Sequence, residues 1–380
     1  MKKNLYILYA IAFLHGMVFY APVAALYRQA QGVSMFQITL IESVSLALCV
    51  ALEIPWGVVA DRIGYKATMV VCCLLYAVSK VVFWRAMRFG DFLMERVLLA
   101  VAQAGLSGVD SSLLYLSCTE QAYHRAQGIY NAMGTAGLMI AGVAFSLLMG
   151  ETYRLATLMT AVGYALATLL AMGLSRPRPQ KRTRVEGLGA AVRATFRSRE
   201  LALFLVGAAL LSETHQTVTV FLSQLQYSRC GLDSSAMGYL YVAAACAGVC
   251  AARSAAVTRR LGPRRTAALL SAAQALFCAV LAATRLPVAS SAAILGLRVC
   301  NSLFQPLAAT VQNRHVHARD RATALSVQNM LISCVAIVTN LLFGLLTQIG
   351  LAPAFLFGSA ACVLAMALLC ARRTGLLSRE

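Results

Sequence analysis

The chain has 380 residues, of which 60% are hydrophobic and 12% are charged, and its mean hydropathy is +0.72. Soluble domains carry about 25% charged residues, and one soluble core stops growing near ~250–300 residues, so this composition excludes an ordinary water-soluble protein. The formal net charge of +19 comes from basic residues that lie between apolar segments, which is typical of a membrane protein and argues against nucleic-acid binding.

Twelve stretches are long enough to cross a bilayer, whose apolar core of about 30 Å requires about 20 apolar residues in a helix. They are too long and too continuous for the strands of a membrane barrel. The predicted fold is therefore an all-α integral membrane protein with twelve transmembrane helices. In chain order these spans 1 to 12 are predicted at Leu5–Leu26, Gln37–Ala60, Ala67–Trp84, Asp91–Ser117, Gln127–Met149, Tyr153–Leu174, Leu201–Ser223, Ser235–Val257, Thr266–Thr284, Val288–Val311, Ala322–Leu346 and Ala352–Ala371.

The distribution of basic residues predicts the orientation. The first apolar run follows Lys2 and Lys3 but exceeds the length of a signal peptide and has no clean A-x-A-like site, so it is interpreted as an uncleaved span. With the N-terminus in the cytoplasm, the cytoplasmic segments hold 23 Lys and Arg and the external segments hold six. The positive-inside rule then predicts that both termini lie on the cytoplasmic side of the membrane, which we expect to be the cell inner (plasma) membrane.

One long polar stretch, Ser175–Glu200, divides the spans into two sets of six. We expect an N-terminal six-helix bundle at residues 1–174, a basic cytoplasmic linker at 175–200, a C-terminal six-helix bundle at 201–371 and a cytoplasmic tail at 372–380. The sequence DRIGYK at 61–66 is echoed by RRLGPR at 259–264, with the two glycines 198 residues apart. This repetition predicts pseudo-symmetric bundles with a substrate site between them near the midplane.

Two segments resemble one family of transporters. GVVADRIGYK, at residues 57–66, resembles the signature G-x-x-x-D-R-x-G-R-K of the major facilitator superfamily, with Tyr65 in place of the usual Arg. EIPWGVVADRIGYK, from Glu53, is similar to the form found in bacterial drug-efflux-like members. SGVDSSLLY, at 107–115, resembles the fourth-span segment of that subgroup, although Leu116 replaces the Asp that often follows the Tyr.

The resemblance implies a secondary active transporter that works by alternating access, with spans 1, 4, 7 and 10 lining the cavity. Arg96 lies where the fourth-span Arg of the family is expected, which implies a relay or structural role. The fifth-span segment GTAGLMIAG, at 134–142, lacks the Pro of the family's drug/proton antiporters, so the direction of transport stays open. Its glycines still permit close helix packing.

The turn between spans 2 and 3, which resembles the family signature, predicts a cytoplasmic gate. Its charges would hold the cytoplasmic side shut, while its glycines allow a close helix neighbour and a tight turn. The alternative is a solvated loop. The predicted gate residues are Gly57, Asp61, Arg62, Gly64 and Lys66.

Charged groups inside spans cost at least ~2.5–3.5 kcal/mol at the bilayer centre, so they are candidates for function. Glu213 lies 12 residues into span 7, and His15 and Arg298 each lie ten residues into spans 1 and 10, so the three share a depth. Arg298 is expected to face Glu213, either in a binding site or in a structural ion pair. The predicted substrate-binding residues are Glu213, Arg298, Asn301, Gln305, Gln216 and His15.

Proton coupling is assigned to Glu213, Asp110 and Arg96. A carboxyl in a low-dielectric site can exchange a proton near neutral pH. Two other charged residues are expected at less central places: Glu42 as a snorkelling or gate residue, and Lys80 in span 3 as a side chain that snorkels outward.

The sequence therefore predicts a proton-coupled exporter of small amphipathic or drug-like compounds, acting as a monomer among membrane lipids. One alternative is uptake of a polar metabolite or organic anion with Arg298 as counter-ion, and another is a membrane sensor that does not transport. No P-loop, H-E-x-x-H or G-x-S-x-G motif is present, so neither an ATP site nor an enzyme is predicted. The 12 cysteines form no C-x-x-C framework, and neither a metal site nor a cofactor is expected.

Overall fold

A computed structural model of the chain describes residues 2–150, 152–175, 199–314 and 321–370. These residues form helices and their connections, with no strand among them. Twelve of the helical segments in this part of the chain are long and apolar enough to cross a membrane. The prediction of an all-α membrane protein with twelve spans is confirmed.

The spans keep their numbers from the sequence, and several consist of two helices. Spans 1 to 6 comprise the helices Lys2–Gly16 with Ala24–Ala30, Met35–Ile63, Tyr65–Arg85, Phe89–Leu106 with Val109–Ser117, Glu120–Ala144, and Tyr153–Met172. Spans 7 to 12 comprise Arg199–Gln216 with Ser223–Arg229, Ser234–Ala247 with Ser254–Leu261, Pro263–Ala283, Pro287–Arg314, Arg321–Ile349, and Leu351–Cys370.

The contacts divide the described residues into two compact units. The first unit contains spans 1 to 6 together with residues 233–242 at the start of span 8. The second contains span 7, the remainder of span 8 and spans 9 to 12. The predicted tail lies outside the described residues. So does the predicted linker, except for Ser175, Arg199 and Glu200. Each unit has its own apolar core, with Leu8 and Leu113 buried in the first and Phe204 and Phe304 in the second.

The same turn occurs once in each unit. Gly64, between spans 2 and 3, has φ 85° and ψ 153°, and Gly262, between spans 8 and 9, has φ 80° and ψ 151°. Both angles lie in a region that side-chain-bearing residues avoid, so the turn requires glycine. The Thr68 and Thr266 amides each donate to the carbonyl of their own turn glycine at 3.0 Å. These matched turns are the structural counterpart of the repeat seen in the sequence.

Spans 1, 4 and 7, which the resemblance places at the cavity, are all irregular near their middle. Span 1 unwinds after Gly16 and resumes as a short 3₁₀ turn at Ala21–Val23. Span 4 breaks at Gly108, whose φ is 80°, and span 7 widens into a π-helix at Thr217–Leu222. Such interruptions free backbone groups within the membrane, so other helices or water must satisfy them.

Span 6 stabilises the break in span 1. The Phe19 amide donates to Thr160 Oγ1 at 3.0 Å, and the Tyr164 hydroxyl donates to the His15 carbonyl at 2.8 Å. Thr160 lies one helical turn from Tyr164, so both side chains point to the same face of span 6. Two side chains of a regular helix therefore replace partners that the unwound turn of span 1 has lost.

Glycines bring spans 1 and 5 into direct backbone contact, as their positions in GTAGLMIAG led us to expect. A Cβ added to Gly137 would overlap the carbonyl oxygen of Phe13, and a Cβ on Gly16 would overlap the carbonyl of Gly134. Small residues at such crossings are the usual means of close helix packing in membranes.

Candidate functional site

A hydrogen-bonded polar cluster surrounds Glu213 in the second unit. Thr217 Oγ1 lies 3.2 Å from Glu213 Oε1 and 2.7 Å from Asn340 Oδ1 of span 11. Thr217 is fully buried and Asn340 is 2% exposed. Thr217 is also the first residue of the π-helical turn, and such wide turns are frequent at functional sites.

A second group of amides joins spans 7 and 10. Gln305 Nε2 donates to Ser212 Oγ at 2.7 Å and lies 3.3 Å from Asn301 Oδ1. Asn301 is buried, whereas Gln305 is exposed. Two residues of the predicted face of span 10, Asn301 and Gln305, therefore contact each other. Gln305 also contacts span 7 through Ser212, the residue before Glu213.

Arg298 lies beside the irregular part of span 8. Its Nη2 is 3.5 Å from the position that a Cβ would occupy on Gly248, and it is the charged neighbour of His215. His215 is 2% exposed, and its Nε2 lies 3.4 Å from the Thr219 hydroxyl. The expected pairing of Arg298 with Glu213 stays a prediction.

Four exposed amide side chains lie within spans of the two units. They are Gln216 and Gln305 in the second unit, and Gln103 of span 4 and Asn131 of span 5 in the first. Burying an amide without a partner in hydrocarbon costs several kcal/mol. Each of these side chains therefore suits contact with water or a polar solute better than contact with lipid tails.

His15 stacks between two tyrosines in the first unit. Its ring centroid is 5.2 Å from that of Tyr76 and 4.8 Å from that of Tyr164. Its Nε2 is buried without a hydrogen-bond partner among the described residues. The structure thus places His15 in an aromatic stack between spans 1, 3 and 6 of the first unit.

Asp110 lies in the first turn of the second helix of span 4. Its Oδ1 accepts a hydrogen bond of 2.7 Å from the Ser111 amide, and Tyr130 of span 5 interacts with its carboxylate. A carboxylate in the first turn of a helix is stabilised by the free amides there. The break at Gly108 therefore creates the helix terminus that holds Asp110 within the span.

Arg96 belongs to a buried network of charges in the first unit. Arg96 Nη2 lies 2.5 Å from Glu42 Oε1, and Arg96 Nε lies 3.6 Å from Glu95 Oε2. Lys80 Nζ contacts Glu95 Oε1 at 2.8 Å, and Arg28 Nη2 lies 4.0 Å from Glu95 Oε2. Three cations thus share two carboxylates.

The expectation that Lys80 snorkels outward was wrong. Lys80 is 4% exposed because Glu95, which is fully buried, draws it into the unit. The aromatic rings of Tyr20 and Phe83 lie 5.8 and 6.0 Å from its Nζ. A charge with a carboxylate and ring faces around it has no need to reach the membrane surface. Glu42 likewise pairs with Arg96 rather than snorkelling.

The predicted gate is described only in part. The Asp61 side chain lies outside the described residues, Arg62 is exposed, and Lys66 is half-buried. A Cβ on Gly57 would meet no described atom within 4 Å, so the close helix neighbour expected at Gly57 is not seen. Gly64 does form the expected tight turn. The latch itself stays a prediction.

Sequence reasoning missed Thr217 as a central residue and missed Asn340 and Asn131 altogether. Thr217 follows Glu213 by four residues, and Asn131 follows Gln127 by four. Asn131 Oδ1 accepts a hydrogen bond of 3.4 Å from Gln127 Nε2. This spacing puts both members of each pair on one helix face, so it is a signal that the sequence carries. Asn340 carries no such signal, because its partner lies on another span.

Twelve spans in two units, with amide side chains exposed within them, are typical of polytopic membrane transporters. The family model of the Major Facilitator Superfamily matches residues 5–300. The chain belongs to the Major Facilitator Superfamily, and its resemblance to that family is confirmed.

Relatives of known sequence or structure agree with this assignment. An uncharacterized MFS-type transporter of Methanocaldococcus jannaschii is 29% identical over 143 residues, which is 37% of this chain and 37% of the relative's length. The crystal structure of the nucleoside transporter NupG matches with a TM-score of 0.80 at 17% identity, covering 100% of both chains. A bacterial homologue of the human lysosomal transporter Spinster, inward-facing and unoccupied, matches with a TM-score of 0.73 at 18% identity, covering 98% of this chain and 95% of that one. At these identities the solved structures show a shared fold.

Proposed function

We propose that this transporter moves a small polar solute by alternating access and couples that movement to protons through Glu213. The observation that carries the proposal is the hydrogen-bonded set of Glu213, Thr217 and Asn340, next to the amides of Gln216 and Gln305. A carboxyl in the middle of a span is costly, and such groups mark ion and substrate pathways. Within the bounds predicted from the sequence for spans 7 to 12, Glu213 is the one acidic residue; Glu200 and Asp233 lie outside those bounds.

The amides favour a polar cargo over an apolar one. Each primary amide offers donors and an acceptor, so Gln305 and Gln216 suit a solute with hydroxyl or amide groups. Nucleosides carry both kinds of group, and the nucleoside transporter NupG shares the fold, so nucleosides are the first cargo to test. This favours uptake of a polar metabolite, which the sequence left as an alternative.

Export of amphipathic compounds is the second candidate. It is favoured by Tyr239 at the start of span 8, which is 48% exposed and offers an aromatic surface to an apolar or cationic cargo. For an anionic cargo, Arg298 would serve as the counter-ion. Asp110 is proposed as a second proton-coupling carboxyl. Arg96 is proposed to support proton coupling by holding span 4 to span 2 through its ion pair with Glu42.

Orientation and partners complete the proposal. The excess of Lys and Arg in alternate connections supports cytoplasmic termini in the plasma membrane. Because one chain contains both units, we propose that a monomer is sufficient for transport. Its partners would then be the solute, protons and the surrounding lipids.

The experiment is transport by purified protein in proteoliposomes with a pH dye inside. Nucleosides, small organic anions and lipophilic cations are added in turn, and solute entry and proton movement are recorded together. Nucleoside entry accompanied by protons supports the proposal. Flux with cations alone would favour the exporter, flux with anions that Arg298→Ala abolishes would favour anion uptake, and binding of a solute without flux would favour a sensor.

A matched pair of variants tests the residue assignment. Glu213→Gln removes the acid within span 7, and Glu200→Gln removes an exposed acid from the first turn of the same span. Only the first should uncouple solute movement from protons. Equal effects of both substitutions would contradict the role of Glu213.

A further inference from the structure

The Thr217 hydroxyl lies between two acceptor oxygens but carries a single proton. Glu213 Oε1 is 3.2 Å from it and Asn340 Oδ1 is 2.7 Å from it. A hydroxyl donates one hydrogen bond and accepts others. With Glu213 ionised and the Asn340 oxygen facing Thr217, one of the two contacts would therefore have no proton.

Two arrangements satisfy both contacts. If Glu213 carries a proton, it donates to Thr217, and Thr217 donates to Asn340 Oδ1. If Glu213 is ionised, Thr217 donates to the carboxylate, and the Asn340 amide turns by half a rotation so that its Nδ2 donates to Thr217. Because Thr217 and Asn340 are both buried, an arrangement that leaves one of their hydrogen-bonding groups without a partner is costly.

We propose that Thr217 and Asn340 are positioning residues that transmit the protonation of Glu213 from span 7 to span 11. The inference rests on the proposed role of Glu213 in proton coupling and adds the residues that sense it. Reversal of the two hydrogen bonds changes how span 7 is held by span 11 at the residue where the π-helical turn begins. Proton uptake is thereby linked to a change between two packed helices.

The surroundings of Glu213 are consistent with a single acidic group. The helices packed against span 7 carry in their middle parts the titratable or charged side chains of Arg298, Cys300, Cys278, Cys334 and Cys362. On span 7 itself, His215 Nε2 lies 3.4 Å from the Thr219 hydroxyl. None of these groups is a carboxylate, so a carboxyl signal from this region reports Glu213.

The test is infrared difference spectroscopy of the full chain in lipid, recorded as the pH is lowered. The carboxyl stretching band that Glu213→Gln removes belongs to Glu213. Thr217→Val and Asn340→Leu should shift this band to higher frequency, because the carboxyl loses its hydrogen-bonded chain, and Thr217→Ser should restore it. Thr339→Val is the matched control, because the Thr339 hydroxyl donates to the Val335 carbonyl of its own helix at 2.8 Å.

The outcomes separate this inference from the proposed function. A Glu213 band that Thr217→Val and Asn340→Leu leave in place overturns the transmission to span 11 and keeps Glu213 as a proton carrier. If Glu213→Gln removes no band at any pH, then Glu213 takes up no proton, and both proposals fail. A shift caused equally by Thr339→Val would assign the effect to general repacking and would also overturn the inference.

Discussion

Lys80 of span 3 and Glu95 of span 4 form a buried ion pair, with Nζ and Oε1 2.8 Å apart and side chains 5% and 0% exposed. Arg28 and Arg96 approach the second oxygen of the same carboxylate at 4.0 and 3.6 Å. The Glu95 carboxylate therefore interacts with three cations, one each from spans 1, 3 and 4. Buried pairs of this kind stabilise little compared with apolar packing, but breaking one leaves an uncompensated charge.

The first prediction concerns this network. Glu95→Gln should lower the stability of the protein by roughly 3–5 kcal/mol, because Lys80 and Arg28 would remain buried without their carboxylate. Thermal unfolding in detergent measures the effect, with Glu200→Gln as an exposed control. An unfolding temperature for Glu95→Gln equal to that of the control would show that the network is not structural.

The second prediction concerns the crossing of spans 1 and 5. Gly137→Ala would place a methyl group against the carbonyl of Phe13, so overpacking should cost about 1–3 kcal/mol. Gly128→Ala on the same helix is the control, because a Cβ there meets no described atom within 4 Å. Alanine favours helices over glycine, so the control should be as stable as the wild type or more stable. Similar losses for both variants would contradict the close crossing.

The third prediction concerns the break in span 1. Thr160→Val removes the acceptor of the Phe19 amide, and a buried donor without a partner costs about 1–3 kcal/mol. Amide hydrogen exchange at Phe19 should accelerate. Thr168→Val, whose hydroxyl donates to the Tyr164 carbonyl of its own helix, should leave that exchange rate unchanged. Slow exchange at Phe19 in Thr160→Val would mean that the break is satisfied elsewhere.

The fourth prediction concerns cargo recognition. Gln305→Leu should raise the KM for a polar solute roughly tenfold, which corresponds to the loss of one hydrogen bond of about 1.4 kcal/mol. Gln348→Leu, an exposed amide near the end of span 11, is the control. Initial rates of solute entry measure both variants. An unchanged KM in Gln305→Leu would remove this amide from the binding face.

The spans were predictable because the length and the apolar composition of a membrane helix can be read directly from its sequence. The repeated turn was predictable too, since Gly64 and Gly262 sit in matching basic surroundings and both adopt positive φ. The position of Glu213 along span 7 followed from counting residues, and its depth in the membrane stays a prediction. These features depend on local sequence, which a single chain displays directly.

The remaining features depend on contacts between distant residues. Lys80 is 15 residues from Glu95, and Thr217 is 123 residues from Asn340, so no spacing rule connects either pair. The irregular turns of spans 4 and 7 contain no proline. Pro22 does indicate the break in span 1, but the sequence does not show that Thr160 on another helix holds that break. Helix packing decides these features, and a periodic pattern does not reveal which helices are neighbours.

The most direct test of the central claim is solute-driven proton movement in proteoliposomes that contain the wild type, Glu213→Gln or Glu200→Gln. The account predicts that solute drives protons across the membrane with the wild type and with Glu200→Gln. Glu213→Gln should still exchange labelled solute but move no protons. Proton movement by Glu213→Gln at the wild-type rate would contradict the assignment of Glu213 as the coupling residue.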